Sequence, residues 1–174
     1  FIPELNQYFD SMATYSNNNF FSKDTIFNND YQQPASNYDK TDILIVGRRE
    51  NGLDSLKLFS KLTGIRCFAG RYPPGILTNP NLEDFIEAKV LLVTDPWPDR
   101  NAVFDAIKMG MPVVALCDTN NESNFVDIVV PCNNKGKKSL GLFFWIFAKE
   151  FLKTKGVIKS DEEMPVKLDQ FIEE

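Results

Sequence analysis

Three short runs fix most of what this chain can become: Ile43-Leu44-Ile45-Val46, Val90-Leu91-Leu92-Val93 and Val113-Val114-Ala115-Leu116-Cys117. Each is apolar at every position. A strand with one face in water alternates apolar and polar side chains, whereas a strand buried on both faces does not. The segments between the runs have helical spacing. Leu53, Leu56, Phe59 and Leu62 share one face of a helix stopped by Gly64, and Arg100–Met109 forms another, capped by Asp99 and ended by Gly110. Strands alternating with amphipathic helices specify an α/β domain with a mainly parallel sheet. Ile65–Ala69 and Val126–Val130 bring the sheet to five strands with flanking helices. A short helix begun by Asn81 and carrying Leu82, Phe85 and Ile86 is expected before the third strand. The link from Asp118 to Phe125 is short for a parallel crossover. The last major element is a helix from about Lys137 to Lys155, stopped by Gly156.

The ends have a different character. Residues 1–40 hold asparagine clusters and no sustained helical period, yet carry nine aromatic side chains. They read as an N-terminal arm that packs on this domain or on a neighbour. Residues 160–174 read as an acidic C-terminal tail lying in solvent or on basic protein, and leave 41–159 as the α/β domain. Charge follows the same division. The chain is −5 overall, but the arm has two basic and five acidic side chains and the tail one and six. The central domain has sixteen basic against thirteen acidic, a net charge of +3, and Pro131–Lys159 alone holds seven lysines and one acid. A phosphate backbone responds to that local surface rather than to the sum.

Other classes are disfavoured. No apolar run approaches the roughly 18–20 residues that span a bilayer. The three cysteines, Cys67, Cys117 and Cys132, lie far apart in or beside apolar runs, which suits packed thiols in a cytosolic protein. With no histidine and no Cys-x-x-Cys pair, neither a metal site nor a cofactor is expected.

In an open parallel sheet, ligands gather beyond the carboxyl ends of the strands. Those ends deliver Arg48-Arg49, Gly70-Arg71, Asp95-Pro96, Asp118 and Cys132-Asn133-Asn134-Lys135. Asp95 and Asp118 admit an acid/base or metal-binding reading, as in a free α/β enzyme or nucleotide-binding protein. Helix capping or Asx turns explain them better, since Asp is common at strand ends and no nucleophile–base pair accompanies them. Arg48-Arg49 follows a strand and opens a helix without the glycine pattern of a dinucleotide site or the P-loop lysine. Asn133, Asn134 and Gly136 shape a turn that sets Lys135, Lys137 and Lys138 at a helix start. Lysine is disfavoured there by the helix dipole, so the cluster favours an external anion such as phosphate. The following helix, Ser139–Ala148, is apolar all round, and its stripe through Leu142, Trp145 and Lys149 either needs a cover from the arm or a partner protein or is wholly buried in the core. The loop Arg71-Tyr72-Pro73-Pro74-Gly75-Ile76-Leu77 is stiff and keeps apolar side chains within it.

AGRYPPGILTNP, LLVTDPWPDRNAVFDAIKMGMPVVALCDTN and VDIVVPCNNKGKKSLGLFFWIFAKEFLKTKG together resemble the small-subunit ribosomal protein family numbered second in the universal set. In eukaryotes it is the ribosomal protein SA, or laminin-receptor-precursor, family. The likeness runs from about Asp42 to Ile158. It implies a parallel sheet of flavodoxin-like topology, no catalysis and no small-molecule substrate. It also implies a cytoplasmic, ribosome-bound protein touching small-subunit ribosomal RNA and neighbouring ribosomal proteins, without a membrane. On that resemblance Arg48, Arg49, Arg71, Lys135, Lys137 and Lys138 are expected to contact RNA, and Leu142, Trp145 and Tyr72 protein. Arg71 would be held towards a partner by the prolines after it. The adhesion or receptor role suggested by the family's other name finds no anchor in this sequence. The family's upstream Gly-Val-His-x-Gly segment is not present, and residues 1–40 match only faintly, so no N-terminal contacts are carried over.

Overall fold

A computed structural model describes residues 39–158 and 164–172. The expected N-terminal arm, except its last two residues, lies outside the described residues. The elements are β1 (Ile43–Gly47), α1 (Glu50–Thr63), β2 (Arg66–Ala69), β3 (Val90–Val93), α2 (Arg100–Lys108), β4 (Val113–Cys117), β5 (Ile128–Pro131), α3 (Lys137–Thr154) and α4 (Leu168–Ile172). The five strands stand in the order β2-β1-β3-β4-β5, and every neighbouring pair is parallel. This is the flavodoxin-like order, which reverses direction between β1 and β3.

The apolar strand runs divide between two faces as the pleat requires. Leu44, Val46, Leu91, Val93, Val113 and Ala115 enter one core, while Ile45 and Leu92 enter the other. On that second face α1 and α3 supply Leu56, Phe59, Phe144 and Ala148, all fully buried. Phe59 stacks on Phe147 with ring centroids 5.1 Å apart. Burying one such side chain stabilises the fold by about 1.5–3 kcal/mol. α1 ends where Gly64 takes φ 72° and returns its N–H to the Ser60 carbonyl, a conformation that glycine adopts at little cost.

The first face is covered by α2 and by an irregular loop, residues 70–89. Tyr72, Ile76, Leu77 and Ile86 from that loop occupy the space a crossover helix would fill, and all are buried. Tyr72, expected at a protein interface, is therefore a core residue. Its hydroxyl donates to Asp105 Oδ2 at 3.2 Å, and Gly75, at φ 87°, donates its N–H to the same oxygen at 2.8 Å. Burial and the Asp105 carboxylate push the Tyr72 phenol well above its ordinary range. The short helix expected over 81–86 does not form. The Ile86 N–H is taken by the Ile76 carbonyl at 3.0 Å, leaving only isolated turns at Leu82 and Phe85.

β5 begins at Ile128, two residues later than its apolar run suggested. The ten residues between β4 and β5 hold no helix. A four-residue strand is about 13 Å long and ten residues can span about 33 Å, so the return path suffices. Asp127 anchors it, accepting the Val113 N–H at 2.8 Å.

The described part of the acidic tail belongs to the domain rather than standing apart. α4 lies across α1 and α3, with Phe171 only 2% exposed. Ser55 Oγ donates to the Phe171 carbonyl at 2.8 Å, and Trp145 Nε1 donates to the Val166 carbonyl at 3.2 Å. Met164, Val166 and Phe171 pack into the same core as Trp145, so much of the stripe expected to need an arm or a partner is covered by the chain itself. Gly141 makes the close approach possible: a Cβ there would sit 2.6 Å from the Phe171 carbonyl oxygen. No helix among the described residues is long and apolar enough to cross a membrane.

A candidate nucleic-acid interface at the carboxyl edge of the sheet

Parallel register carries the carboxyl ends of all five strands to one edge, pairing Gly47 with Ala69, Val46 with Val93, and Cys117 with Pro131. The loops that follow are wired together beneath that edge. Asp95, 0% exposed, pairs with the Arg49 guanidinium and accepts the Trp97 N–H at 3.1 Å and Asn121 Nδ2 at 2.9 Å. Asn121 Oδ1 in turn accepts Asn134 Nδ2 at 2.8 Å and the Asp118 N–H at 2.8 Å. Asn134, fully buried, also donates to the Leu116 carbonyl at 2.9 Å. Asn51 Nδ2 at the start of α1 reaches the Lys135 carbonyl at 2.7 Å. Thus the arginine loops and the lysine turn form one framework.

The carboxylates are consumed by that framework. Asp95 is engaged by three donors from three loops. Asp118 Oδ1 accepts the N–H of the adjacent Thr119 at 2.7 Å, and its carboxylate pairs with Lys135 Nζ at 3.3 Å. The Thr119 N–H first, and Lys135 after it, hold the Asp118 carboxyl below the usual range. Asp99, expected to cap α2, instead turns its carboxylate to the Arg48 N–H at 3.2 Å. Burial pushes it up to about 6, against the opposing pull of that N–H. Burial disfavours the thiolate form of all three cysteines, pushing Cys67 up to about 12 and Cys132 up to about 11, and raising Cys117. Among the described residues no cluster of acids and cysteines is placed to hold a metal ion.

What the edge presents outward is mainly cationic, with Glu50 exposed among the basic side chains. Arg48 and Arg71 are exposed and together line a cavity of about 230 Å³ with Tyr72, Pro98, Asp99 and Asn101. Lys138 is exposed and Lys137 half-buried at the first turn of α3, which has no side-chain cap and no acid in its first turn. Asn133 Oδ1 accepts the Lys135 and Gly136 N–H groups at 3.0 and 3.1 Å, fixing the turn ahead of them. Arg48, Arg71, Lys137 and Lys138 make no ion pair among the described residues. Arg49 and Lys135 are partly committed to Asp95 and Asp118. Of the expected protein contacts, Leu142 is half-buried on α3, whereas Trp145 is bonded to the chain's own Val166.

Sequence reasoning missed Trp97. It stands 77% exposed in the loop after β3, beside Arg48 and Arg49. The available signal was its setting: a tryptophan between two prolines, beyond the end of a buried strand, has no core to enter.

Residues 83–154 match the family model described as ribosomal protein S2. The chain is 48% identical over 136 residues to small ribosomal subunit protein uS2 of Nanoarchaeum equitans, covering 78% of this chain and 68% of that protein. It is 44% identical over 134 residues to the protein of the same name from Thermoplasma volcanium, covering 77% and 67%. The aligned portion takes in most of the described domain, including the sheet and the framework of its carboxyl edge. The chain belongs to the ribosomal protein S2 family.

Proposed function

We infer that this chain is a structural, non-catalytic constituent of the small ribosomal subunit, held there by ribosomal RNA and by neighbouring ribosomal proteins. The relatives named above are small-subunit proteins, and the two candidate carboxylates at the strand ends are spent on internal hydrogen bonds. The observation that carries the RNA contact is the sharing of one edge by Arg48, Arg71, Lys137 and Lys138, each without an internal ion pair among the described residues. Phosphates supply the missing anions. Arg49 and Lys135 add charge while holding their loops, with Asn133, Asn134 and Gly136 setting the lysine turn. Leu142 is assigned to a protein neighbour. The test is sedimentation: the chain travels with small-subunit particles, and recovery wholly in the soluble fraction would remove the reading.

A further inference from the structure

The geometry points to a stacking site for an unpaired ribosomal RNA base on Trp97, with Arg48 and Arg49 holding its phosphates. This rests on the RNA-contacting reading above and names what the groove at the β1–β3 reversal receives. That groove is open and shallow, with a volume of about 540 Å³, and is lined by Arg48, Arg49, Glu50, Asn51, Trp97 and Pro98. The volume falls within the range typical of small-ligand sites, about 300–1,000 Å³. It lies where the loops after β1 and β3 part in opposite directions, the usual ligand crevice of this strand order.

Trp97 is presented, not merely left over. Its N–H is tied to Asp95 Oδ1, and the turn that carries it is closed by the Asp99 N–H on the Asp95 carbonyl at 3.4 Å. Its ring gains little from this fold, being 77% exposed, although a tryptophan can bury about 150–250 Å². Two arginines beside an exposed indole form the combination that single-stranded nucleic acid uses, with cations along the backbone and an aromatic face for a base. The Glu50 carboxylate on the same rim disfavours a second phosphate there. A closed duplex offers the arginines its phosphates but offers the indole no face. The occupant is therefore a splayed-out nucleotide.

Affinities of the whole chain for a short single-stranded oligoadenylate, for an RNA duplex of equal length and for AMP test this. Trp97→Ala should weaken the single strand about tenfold, Trp97→Phe much less, and neither should change duplex binding. Arg48→Ala should weaken both RNAs. Unchanged single-strand affinity in Trp97→Ala, with Arg48→Ala still weakening it, overturns the stacking site while leaving the RNA surface intact, and assigns the indole to a protein neighbour. Unchanged affinity in both variants overturns the RNA surface as well. AMP binding as tightly as the oligonucleotide also overturns the proposal, since the crevice would then be a free-nucleotide site.

Discussion

Arg49 and Asp95, 46 residues apart in the chain, form an ion pair at the point where the strand order reverses. The acid is fully buried and the arginine side chain about one-third exposed, at 32%. Because Asp95 also accepts from Trp97 and Asn121, it fastens the loops after β1, β3 and β4. Asp95→Ala strands those donors, although Arg49 recovers part of its hydration. The expected loss is about 2–4 kcal/mol, read as a lowered urea midpoint. Asp95→Asn keeps one acceptor and should lose less. An unmoved midpoint in Asp95→Ala would show that these loops are held by something else.

Asp99 sets a pH dependence. Its carboxyl is raised from 3.8 to about 6 by burial. Between those values the folded chain holds a proton that the unfolded chain has released. The contribution of this group to stability therefore falls as pH rises through that window and levels off above about 6. Asp99→Asn removes the cost of the buried charge and keeps an acceptor for the Arg48 N–H. The variant should match the wild type near pH 4 and be more stable by about 2 kcal/mol at pH 7. Urea denaturation of both proteins at several pH values measures the difference, and other titrating groups such as Asp118 cancel between them. A difference independent of pH would contradict the assignment.

Gly141→Ala tests the docking of α4. In an open helix this change is stabilising by up to about 1 kcal/mol. Here the added methyl would meet the Phe171 carbonyl oxygen at 2.6 Å. The variant should instead lose about 1–3 kcal/mol, with faster proteolysis between α3 and α4 and an altered Trp145 emission. A gain in stability would mean that α4 does not close on α3 in solution.

Lys135, Lys137 and Lys138 separate assembly from folding. Among the described residues they make one ion pair, with Asp118, solvent-accessible on both sides, so the triple alanine variant should stay within about 1 kcal/mol of wild-type stability. Incorporation into small subunits should fall. For binding to RNA, the slope of log affinity against log salt should shrink by about 2–3 if all three touch phosphate. An unchanged salt slope would remove the lysines from the interface.

The parts of this fold that could be read from the residues are those written redundantly. β1, β3 and β4 are buried on both faces, so every position carries the signal. The parts that could not be read depend on one long-range choice. The 81–86 segment has helical spacing, but the Ile76 carbonyl captures the Ile86 N–H and ends the helix before it starts. Asp99 has the right type and place for a cap, yet the Arg48 N–H, 51 residues away, is its partner. The tail looked solvated because its acids outnumber its apolar residues, while Met164, Val166 and Phe171 are the ones that decide where it lies. At the carboxyl edge, sequence named most of the exposed cations but not which of them the buried acids would claim.

The Ser55 hydroxyl meets a carbonyl 116 residues further along the chain, that of Phe171. During synthesis at roughly 5–20 residues per second, the groove between α1 and its later neighbours stays open for on the order of ten seconds after α1 has emerged. Phe59 is covered earlier, when α3 brings Phe144 and Phe147 onto it, so the last part of the groove to close is the one under α4. A premature stop before Val166 would release a chain in which the Ser55 hydroxyl and the Trp145 indole lack the carbonyls that the last segment supplies, and Phe171 no longer covers the junction of α1 and α3.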